Sequence, residues 1–293
     1  MVKRYLIIFL SVFLFGAVCF ISGCSNDFFG LVYSNDLDER LNHKNYFPFL
    51  EGRHITGSSR DWKNLEINNE SNYKFIVVTD THIEDGNAFG FEYLTNAIIL
   101  SHGAEFVVNL GDVTQHGSIH DIDRFIEIAE DMGVPVYPVI GNHDIYFNTW
   151  PVWRENIGST NYRVDSNNTT LFVLDTANAF FGKHQLDWLE NEIKTAKQNV
   201  FVFTHAPLFT TGIKMQQVTD TRERARIISI LRNRADIMFM GHSHQRAINS
   251  AGNVQYVTFE DFKSTGIYCV VSVINGTASY EFWKLVNGVP VKL

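Results

Sequence analysis

The chain has 293 residues, in which 32 acidic side chains outnumber 24 basic ones, so that its formal net charge is −8. Its Lys and Arg residues are scattered, whereas a nucleic-acid-binding surface would need them concentrated in a stripe. We therefore expect no nucleic-acid partner. The length leaves room for one large domain or two small ones once any targeting segment is removed.

The first 24 residues have the features of a targeting segment. Lys3 and Arg4 give a positive start, the 18 residues of 5–22 are uncharged, and Cys24 follows shortly after them. This pattern resembles a bacterial lipoprotein signal peptide, residues 1–24, in which Cys24 becomes a lipidated N-terminus. An ordinary signal peptide and an uncleaved anchor are the alternatives, because 18 uncharged residues can just span a bilayer. All three alternatives predict an extracytoplasmic protein, and the first predicts membrane attachment through the lipid.

The cysteine content argues against a disulfide framework. Cys19 would leave with the signal peptide and Cys24 would carry lipid, so the mature chain would keep only Cys269. Cys269 lies in the largely apolar run 266–274, which predicts a small buried side chain there.

Residues 25–72 form a region that is polar overall but rich in aromatic side chains. They are Phe28, Phe29, Tyr33, Tyr46, Phe47, Phe49 and Trp62. A plain disordered tether would contain few aromatic residues. We therefore predict an N-terminal extension over 25–72, with a short flexible leader near 25–27 and a remainder that packs partly on the following domain.

From residue 73 onward, strand-like and helix-like segments alternate, which predicts an α/β domain over 73–293. Apolar runs predict strands at 74–79, 105–110, 135–140, 171–174, 199–203 and 237–240. Helical spacing predicts helices at 91–101, 121–132, 184–196 and 222–234. Short strand-like pieces after residue 246, with turns at Gly252, Gly276 and Gly288, predict an antiparallel finish.

Five polar fragments fall within two residues of a predicted strand end, the edge where open α/β sheets bind ligands. They are Asp80-Thr81-His82, Gly111-Asp112, Gly141-Asn142-His143-Asp144, His205 and Gly241-His242-Ser243-His244. The first two gaps, 32 residues from Asp80 to Asp112 and 30 from Asp112 to Asn142, match βαβ repeats that bring strand ends side by side.

The composition of these fragments suits a divalent metal site. Apart from Asp144, they contain two carboxylates, one amide and five imidazoles, which favour manganese, iron(II) or zinc over thiophilic ions. Asp80 and His82 are two residues apart, as are His242 and His244. Extended backbone would point both members of each pair to one side.

In this order, the fragments resemble the motif set of the calcineurin-like metallophosphoesterases, which runs Asp-x-His, Gly-Asp, Gly-Asn-His-Asp/Glu, a lone His and Gly-His-x-His. The likeness extends from residue 73 to about residue 282. It implies a four-layered α/β/β/α sandwich, in which the strands form two facing sheets. It also implies a dinuclear phosphoesterase that hydrolyses phosphomonoesters or small phosphodiesters.

Carried over to this chain, the resemblance implies two divalent metal ions, whether Mn, Fe or Zn. The implied ligands are Asp80, His82 and His244 for one ion, Asn142, His205 and His242 for the other, and Asp112 as the bridge. A hydroxide shared by the two ions would attack phosphorus in line. His143 would protonate the leaving oxygen or stabilise charge on the phosphoryl group.

The chain departs from the family pattern at Gln115. Many relatives carry an acidic residue three positions after the Gly-Asp aspartate, and it orients the histidine that corresponds to His143. Glutamine accepts a hydrogen bond but adds no negative charge to raise the imidazole pKa. Asp144 and His116 are the candidates for compensation, and His116 is equally compatible with a phosphate contact or with covering the pocket.

The leading hypothesis is a hydrolase that acts on a small phosphorylated substrate. The alternative is a catalytically silent metal-binding lipoprotein that serves as a binding or structural module. The complete motif set favours the enzyme, because a relic would be expected to have lost a ligand or His143. We expect the loops 84–91 and 209–221 to decide substrate choice, and neither contains a dense basic cluster for polyphosphate.

Overall fold

The computed structural model describes residues 37–42, 49, 65–94, 96–212 and 216–293. The predicted signal peptide, Cys24 and the leader at 25–27 lie outside these residues. The described strands are β1 Asn72–Val78, β2 Ala104–Asn109, β3 Val136–Pro138, β4 Tyr162–Asp165, β5 Thr169–Val173, β6 Asn199–Phe203, β7 Ile237–Met240, β8 Ala247–Ala251, β9 Val254–Thr258, β10 Ile267–Ile274, β11 Thr277–Val286 and β12 Val289–Lys292.

Helices connect many of these strands. The described α-helices are α1 Leu37–Asn42, α2 Asn96–His102, α3 Ile119–Asp131, α4 Trp150–Asn156, α5 Lys183–Glu192, α6 Thr221–Leu231 and α7 Phe262–Thr265. Short 3-10 helices lie at Phe91–Tyr93, His143–Asn148 and Ile193–Thr195. Over the described part of the chain, none of the helices is both long and apolar enough to cross a membrane.

The strands form two six-stranded sheets. The first has the order β12-β11-β10-β1-β2-β3 and the second the order β4-β5-β6-β7-β9-β8. The run β1-β2-β3 is parallel, as the spacing of the first three fragments predicts, and so is the run β5-β6-β7-β9. The carboxyl ends of each parallel run therefore lie together at one sheet edge.

Three apolar layers separate the two sheets from each other and from the helices. Phe75 of the first sheet stacks on Phe106 with ring centroids 4.6 Å apart and meets Phe201 of the second sheet edge-on at 4.9 Å. Outside this central layer, Phe125 of α3 packs against the first sheet, and Leu186 of α5 packs against the second. The chain thus has the four-layered α/β/β/α architecture, and Cys269 is buried in its central layer.

Helix α1 lies in the region predicted as an N-terminal extension, and it packs on the domain. Leu37 and Leu41 are buried, and a Cβ atom at Gly182 would come within 2.8 Å of Leu37 Cδ2. The Arg40 guanidinium is fully buried, and its Nε donates to Asp175 Oδ2 over 2.8 Å. This part of the extension therefore contributes to the interior.

The structure corrects several expectations about the elements. The single helix expected at 91–101 is a 3-10 turn followed by α2, because Leu94 takes a non-helical backbone conformation (φ −75°, ψ 62°). Helix α4 was not predicted, although Pro151 in its first turn is a helix-start signal. The three predicted hairpin turns are present. However, β9 lies parallel to β7, so the strands after residue 246 are only partly antiparallel.

Candidate metal centre

Loops from both sheets converge at one edge of the sandwich. Asp80 and Asp112 follow β1 and β2 of the first sheet, whereas His205 and His242 follow β6 and β7 of the second. Asn142 lies four residues after β3, which ends earlier than expected, and it directly precedes the 3-10 helix His143–Asn148. The site is therefore built across the two sheets.

The first group of donor atoms surrounds Asp80. His244 Nε2 lies 3.1 Å from Asp80 Oδ1, and His82 Nε2 lies 3.8 Å from the same oxygen. These three side chains can each offer one ligand atom within 4.8 Å of the others. They are the three residues implied for one of the two metals.

The second group surrounds His205. Its Nε2 lies 3.2 Å from Asp112 Oδ2, 3.0 Å from Asn142 Oδ1 and 3.1 Å from His242 Nδ1. Asp112 also approaches the first group, because its Oδ2 is 3.8 Å from His82 Nε2. The predicted bridge therefore lies between the two groups.

The backbone of these loops is not extended, so that expectation was wrong. Asp80, His82, Asp112, His242 and His244 all have positive φ, between 45° and 69°. For residues other than glycine this left-handed conformation costs about 1–2 kcal/mol each. It persists here because the backbone of these loops is held by bonds such as His82 N–H to Asp112 O at 2.9 Å.

Two motif glycines permit close approach between the loops. A Cβ atom at Gly141 would lie 2.1 Å from the backbone nitrogen of Asp112. A Cβ atom at Gly241 would lie 2.0 Å from Thr79 Oγ1. Any side chain at these positions would push the metal-ligand loops apart.

His82 gives a direct test of whether the residues fit a metal. Its side chain is buried, with 4% exposure, and neither ring nitrogen has a hydrogen-bond partner. Burial lowers its pKa to about 4, against the raising effect of Asp112 and Asp80, so the imidazole is neutral at physiological pH. An unpartnered, neutral, buried imidazole is costly by itself and is the form that binds a metal ion.

The pKa values of His205 and His244 show that the nearby carboxylates stabilise the protonated form of both rings. Although burial alone would lower the pKa of His205, the Asp112 carboxylate and its hydrogen bond raise that pKa to about 10. Burial likewise opposes the charge of His244, but Asp80 raises its pKa to about 9. The pKa values of both carboxyls lie below their usual range, since the imidazoles outweigh burial. This donor set of carboxylate, amide and imidazole groups fits divalent manganese, iron or zinc.

His143 is oriented by the backbone of Gln115. Its Nδ1 lies 2.9 Å from the Gln115 carbonyl oxygen, an acceptor, so Nδ1 carries the proton in the neutral ring. Its backbone N–H donates to Asp112 Oδ1 over 2.8 Å. The Gln115 side chain instead points its Oε1 to Lys263 Nζ, 3.4 Å away. Gln115 thus binds the His143 ring through its backbone carbonyl and not through its side chain.

Asp144 does not take over that acidic role, because its side chain holds two loops together. Oδ1 accepts from the backbone N–H and the hydroxyl of Thr114 at 2.9 and 3.0 Å. Oδ2 accepts from the N–H groups of Gly141 at 2.9 Å and Val113 at 3.3 Å. Burial and the neighbouring Asp112 charge raise the pKa of Asp144 to about 7 despite these bonds. Asp144 therefore fixes the position of Asp112 relative to Asn142.

His116 lies at the mouth of the site. Its ring is half exposed, and Nε2 is 3.4 Å from Glu84 Oε1. Of the two interpretations of His116, this position favours covering the pocket.

Two residues that position metal-ligand side chains were not predicted from the sequence. The Asn142 side-chain amide donates to the Tyr146 hydroxyl over 2.5 Å, which leaves Asn142 Oδ1 directed at His205. Asp261 Oδ1 lies 3.7 Å from His244 Nδ1, while its Oδ2 caps α7 by accepting from Ser264 N–H. Tyr146 follows Asn142 by one helical turn, a spacing that could have identified it. Asp261 carries only the signal of an ordinary helix cap.

Two curated proteins with phosphodiesterase names are similar to this chain. A probable cyclic nucleotide phosphodiesterase from Fibrobacter succinogenes is 28% identical over 201 residues, which cover 63% of this chain and 78% of the relative. A probable glycerophosphodiester phosphodiesterase from Arcobacter nitrofigilis is 23% identical over 198 residues, covering 58% of this chain and 71% of the relative.

The fold is also similar to a solved structure, a dimetal phosphatase from Danio rerio. It aligns with a TM-score of 0.56 at 15% identity and covers 71% of this chain and 98% of that one. The model of the family described as calcineurin-like phosphoesterase matches residues 73–246. Since this match runs from the first strand past the last histidine pair, the chain belongs to the calcineurin-like phosphoesterase family and is a hydrolase of phosphoric esters.

Proposed function

We propose that this protein hydrolyses small phosphodiesters, and phosphomonoesters as a second class, with two divalent metal ions as cofactors. The observation that carries the proposal is the position of Asp112 between two groups of metal-binding side chains. A shared carboxylate is the arrangement that holds two ions side by side. His143 lies against the same carboxylate through its backbone N–H.

The residues assigned to one ion are Asp80, His82 and His244, those assigned to the other are Asn142, His205 and His242, and Asp112 serves both. Bound divalent ions would polarise the phosphoryl oxygens and lower the pKa of water at the site. The two aspartates only partly neutralise two divalent charges, so the loaded site attracts an anionic phosphoryl group.

His143 supplies the proton in this proposal. The Gln115 carbonyl binds its Nδ1–H and thereby fixes the plane of the ring. Its other nitrogen, Nε2, is then the atom that gives a proton to the leaving oxygen when the ring is charged, or receives one in the reverse step. The rings of His82 and Tyr146, with centroids 4.6 and 4.5 Å away, limit its movement.

The curated relatives and the N-terminal sequence support a preferred substrate class and a location for the proposed enzyme. Both curated relatives are named as phosphodiesterases, which supports diesters as the preferred substrates. The N-terminal pattern that ends at Cys24 supports an extracytoplasmic enzyme attached to the membrane by lipid. Its substrates would then be small phosphorylated molecules in that compartment.

The test uses protein that lacks residues 1–24, loaded separately with manganese, zinc or iron. Elemental analysis should find two metal ions per chain, and a panel of diesters and monoesters should reveal metal-dependent hydrolysis. Asp112→Asn should fold, lose metal and lose activity. Two bound ions without hydrolysis of any phosphoester would instead support the catalytically silent metal-binding lipoprotein.

A further inference from the structure

Four side chains form a cluster that contacts Gln115, which we term the mouth cluster: Glu84, Phe89, His116 and Lys263. Lys263 is anchored to the metal-ligand loop, because its backbone N–H donates to the Asp80 carbonyl over 3.2 Å. Its Nζ reaches Gln115 Oε1 at 3.4 Å. Because the Gln115 carbonyl also holds His143, Gln115 connects the mouth cluster to the group assigned to the leaving oxygen.

The loop that supplies Glu84 and Phe89 is fixed by its own hydrogen bonds. Glu84 and Asn87 exchange backbone bonds of 3.1 and 2.9 Å, and the Phe89 N–H donates to Asn87 Oδ1 over 2.9 Å. Phe89 has a φ of 50°, and its ring centroid lies 4.4 Å from Lys263 Nζ. The aromatic face and the ammonium group are thus held in place before substrate arrives.

The Lys and Glu side chains of the mouth cluster form an ion pair. Lys263 Nζ lies 3.3 Å from Glu84 Oε2, and the other Glu84 oxygen faces His116. The Glu84 carboxylate thus lies between Lys263 and His116 and forms an ion pair with Lys263.

A cluster whose ammonium and carboxylate groups are already paired favours uncharged leaving groups over anionic ones. The hydroxyl groups of an alcohol can accept from Lys263 and donate to Glu84, while its C–H groups contact the Phe89 ring beside the ammonium group. If the leaving alcohol carried a phosphate or carboxylate of its own, that anion would face the Glu84 carboxylate. Like charges that face each other oppose binding. Arg246 is engaged elsewhere, with Nε 3.0 Å from Glu260 and its guanidinium 3.9 Å from the Phe282 ring centroid.

We propose that the mouth cluster is a leaving-group subsite that selects an uncharged alcohol with neighbouring hydroxyls, a polyol or sugar, and that Glu84 is its specificity-determining residue. This inference rests on the proposed phosphoester hydrolysis. It adds that the alcohol released from the diester is recognised by a balanced Lys–Glu pair and an aromatic face.

The experiment compares two diesters that share methanol as one alcohol and differ in the other, which is glycerol in the first and glycerol phosphate in the second. Release of each alcohol is followed by phosphorus NMR on the metal-loaded protein. The wild type should prefer the uncharged alcohol by about tenfold or more in kcat/KM. Glu84→Gln should reduce this preference about tenfold, because Lys263 then attracts the second anion.

Lys263→Gln should act in the opposite direction. It removes the ammonium group that pairs with Glu84, so the phosphorylated alcohol should be rejected more strongly than by the wild type. Lys292→Gln is the matched control, since Lys292 forms a comparable pair with Glu281 at 2.6 Å on β11 and β12. This control should keep the wild-type preference.

A binding measurement separates selectivity from turnover. The ratio of the dissociation constants of glycerol bisphosphate and glycerol phosphate, measured by calorimetry, should fall in Glu84→Gln in parallel with the kinetic preference. The subsite assignment is overturned, while the proposed function stands, if the wild type hydrolyses phosphoesters but Glu84→Gln changes neither the kcat/KM preference nor the ratio of dissociation constants. If no phosphoester is hydrolysed by the wild type, both are overturned.

Discussion

The Arg40 guanidinium and the Asp175 carboxylate form a fully buried ion pair between side chains 135 residues apart, with Nε 2.8 Å from Oδ2. A second bond from Arg40 reaches Asp175 Oδ1 at 3.1 Å. Asp175 directly precedes Thr176, whose hydroxyl bonds that of Thr204 and accepts from Ala206 N–H. The pair thus ties the N-terminal region to the segment that carries His205.

Arg40→Ala should destabilise the protein by about 3–5 kcal/mol, because it leaves the Asp175 carboxylate buried without its partner. Urea unfolding measures this loss. Arg226→Ala is the control, since Arg226 pairs with Asp187 at 2.7 Å while both side chains are about one-third exposed, and its loss should be only about 0–1 kcal/mol. Equal, small losses in the two variants would contradict a structural role for the buried pair.

Metal binding should release protons at neutral pH. The pKa values of His205 and His244, about 10 and 9, keep both rings protonated in metal-free protein, whereas a metal ion requires neutral imidazoles. Because these folded-state values are raised, the charged rings stabilise the metal-free fold below about pH 6.5, and that contribution disappears as pH rises through 9 to 10. Metal affinity should therefore increase with pH from 6 to 9.

Calorimetry in two buffers with different ionisation enthalpies counts the released protons. About two protons per chain are expected near pH 7.5 from these two rings, and one more if the water shared by the metals ionises in the same range. Binding without proton release in that range would show that the two imidazoles are already neutral.

His143→Ala should lower kcat by about 10²–10⁴-fold, the usual contribution of a general acid or base, and leave two metal ions bound. His184→Ala is the matched control because His184 is exposed on α5 and belongs to none of the motif fragments. Steady-state kinetics and elemental analysis of both variants test the assignment. Unchanged kcat and KM in His143→Ala would rule out the role given to this residue.

Asp144→Asn should weaken the protein and its metal site together. Four hydrogen-bond donors converge on the Asp144 carboxylate, two on each oxygen. The asparagine side chain accepts through one oxygen only, so two of these donors would lose their acceptor. The unmatched N–H groups should cost about 1–3 kcal/mol in the free energy of unfolding. Metal affinity should fall as well, because Asp112 and Asn142 lose their common support. A variant with wild-type metal affinity and stability would show that these bonds are dispensable.

Much of the candidate site could be predicted because short-range patterns determine it. Apolar runs identified the parallel strands, and the polar fragments that follow them contain the donors that the structure brings together around Asp112 and His205. Glycines at hairpin turns and the apolar surroundings of Cys269 were equally local signals. In each case the residue and its near neighbours in sequence carry the information.

The tertiary structure decided what depends on distant segments meeting. Whether Gln115 orients His143 through its side chain or its carbonyl depends on the path of two loops, and the positive φ values of the ligand loops depend on the hydrogen bonds between them. The pairing of Arg40 with Asp175 and the approach of Lys263 to Glu84 join segments more than 130 residues apart. The sequence alone determined which groups this protein has for its chemistry. Their orientation and the pairing of Lys263 with Glu84 arose only when distant loops met in the folded chain, because no local sequence pattern specifies which loops will lie together.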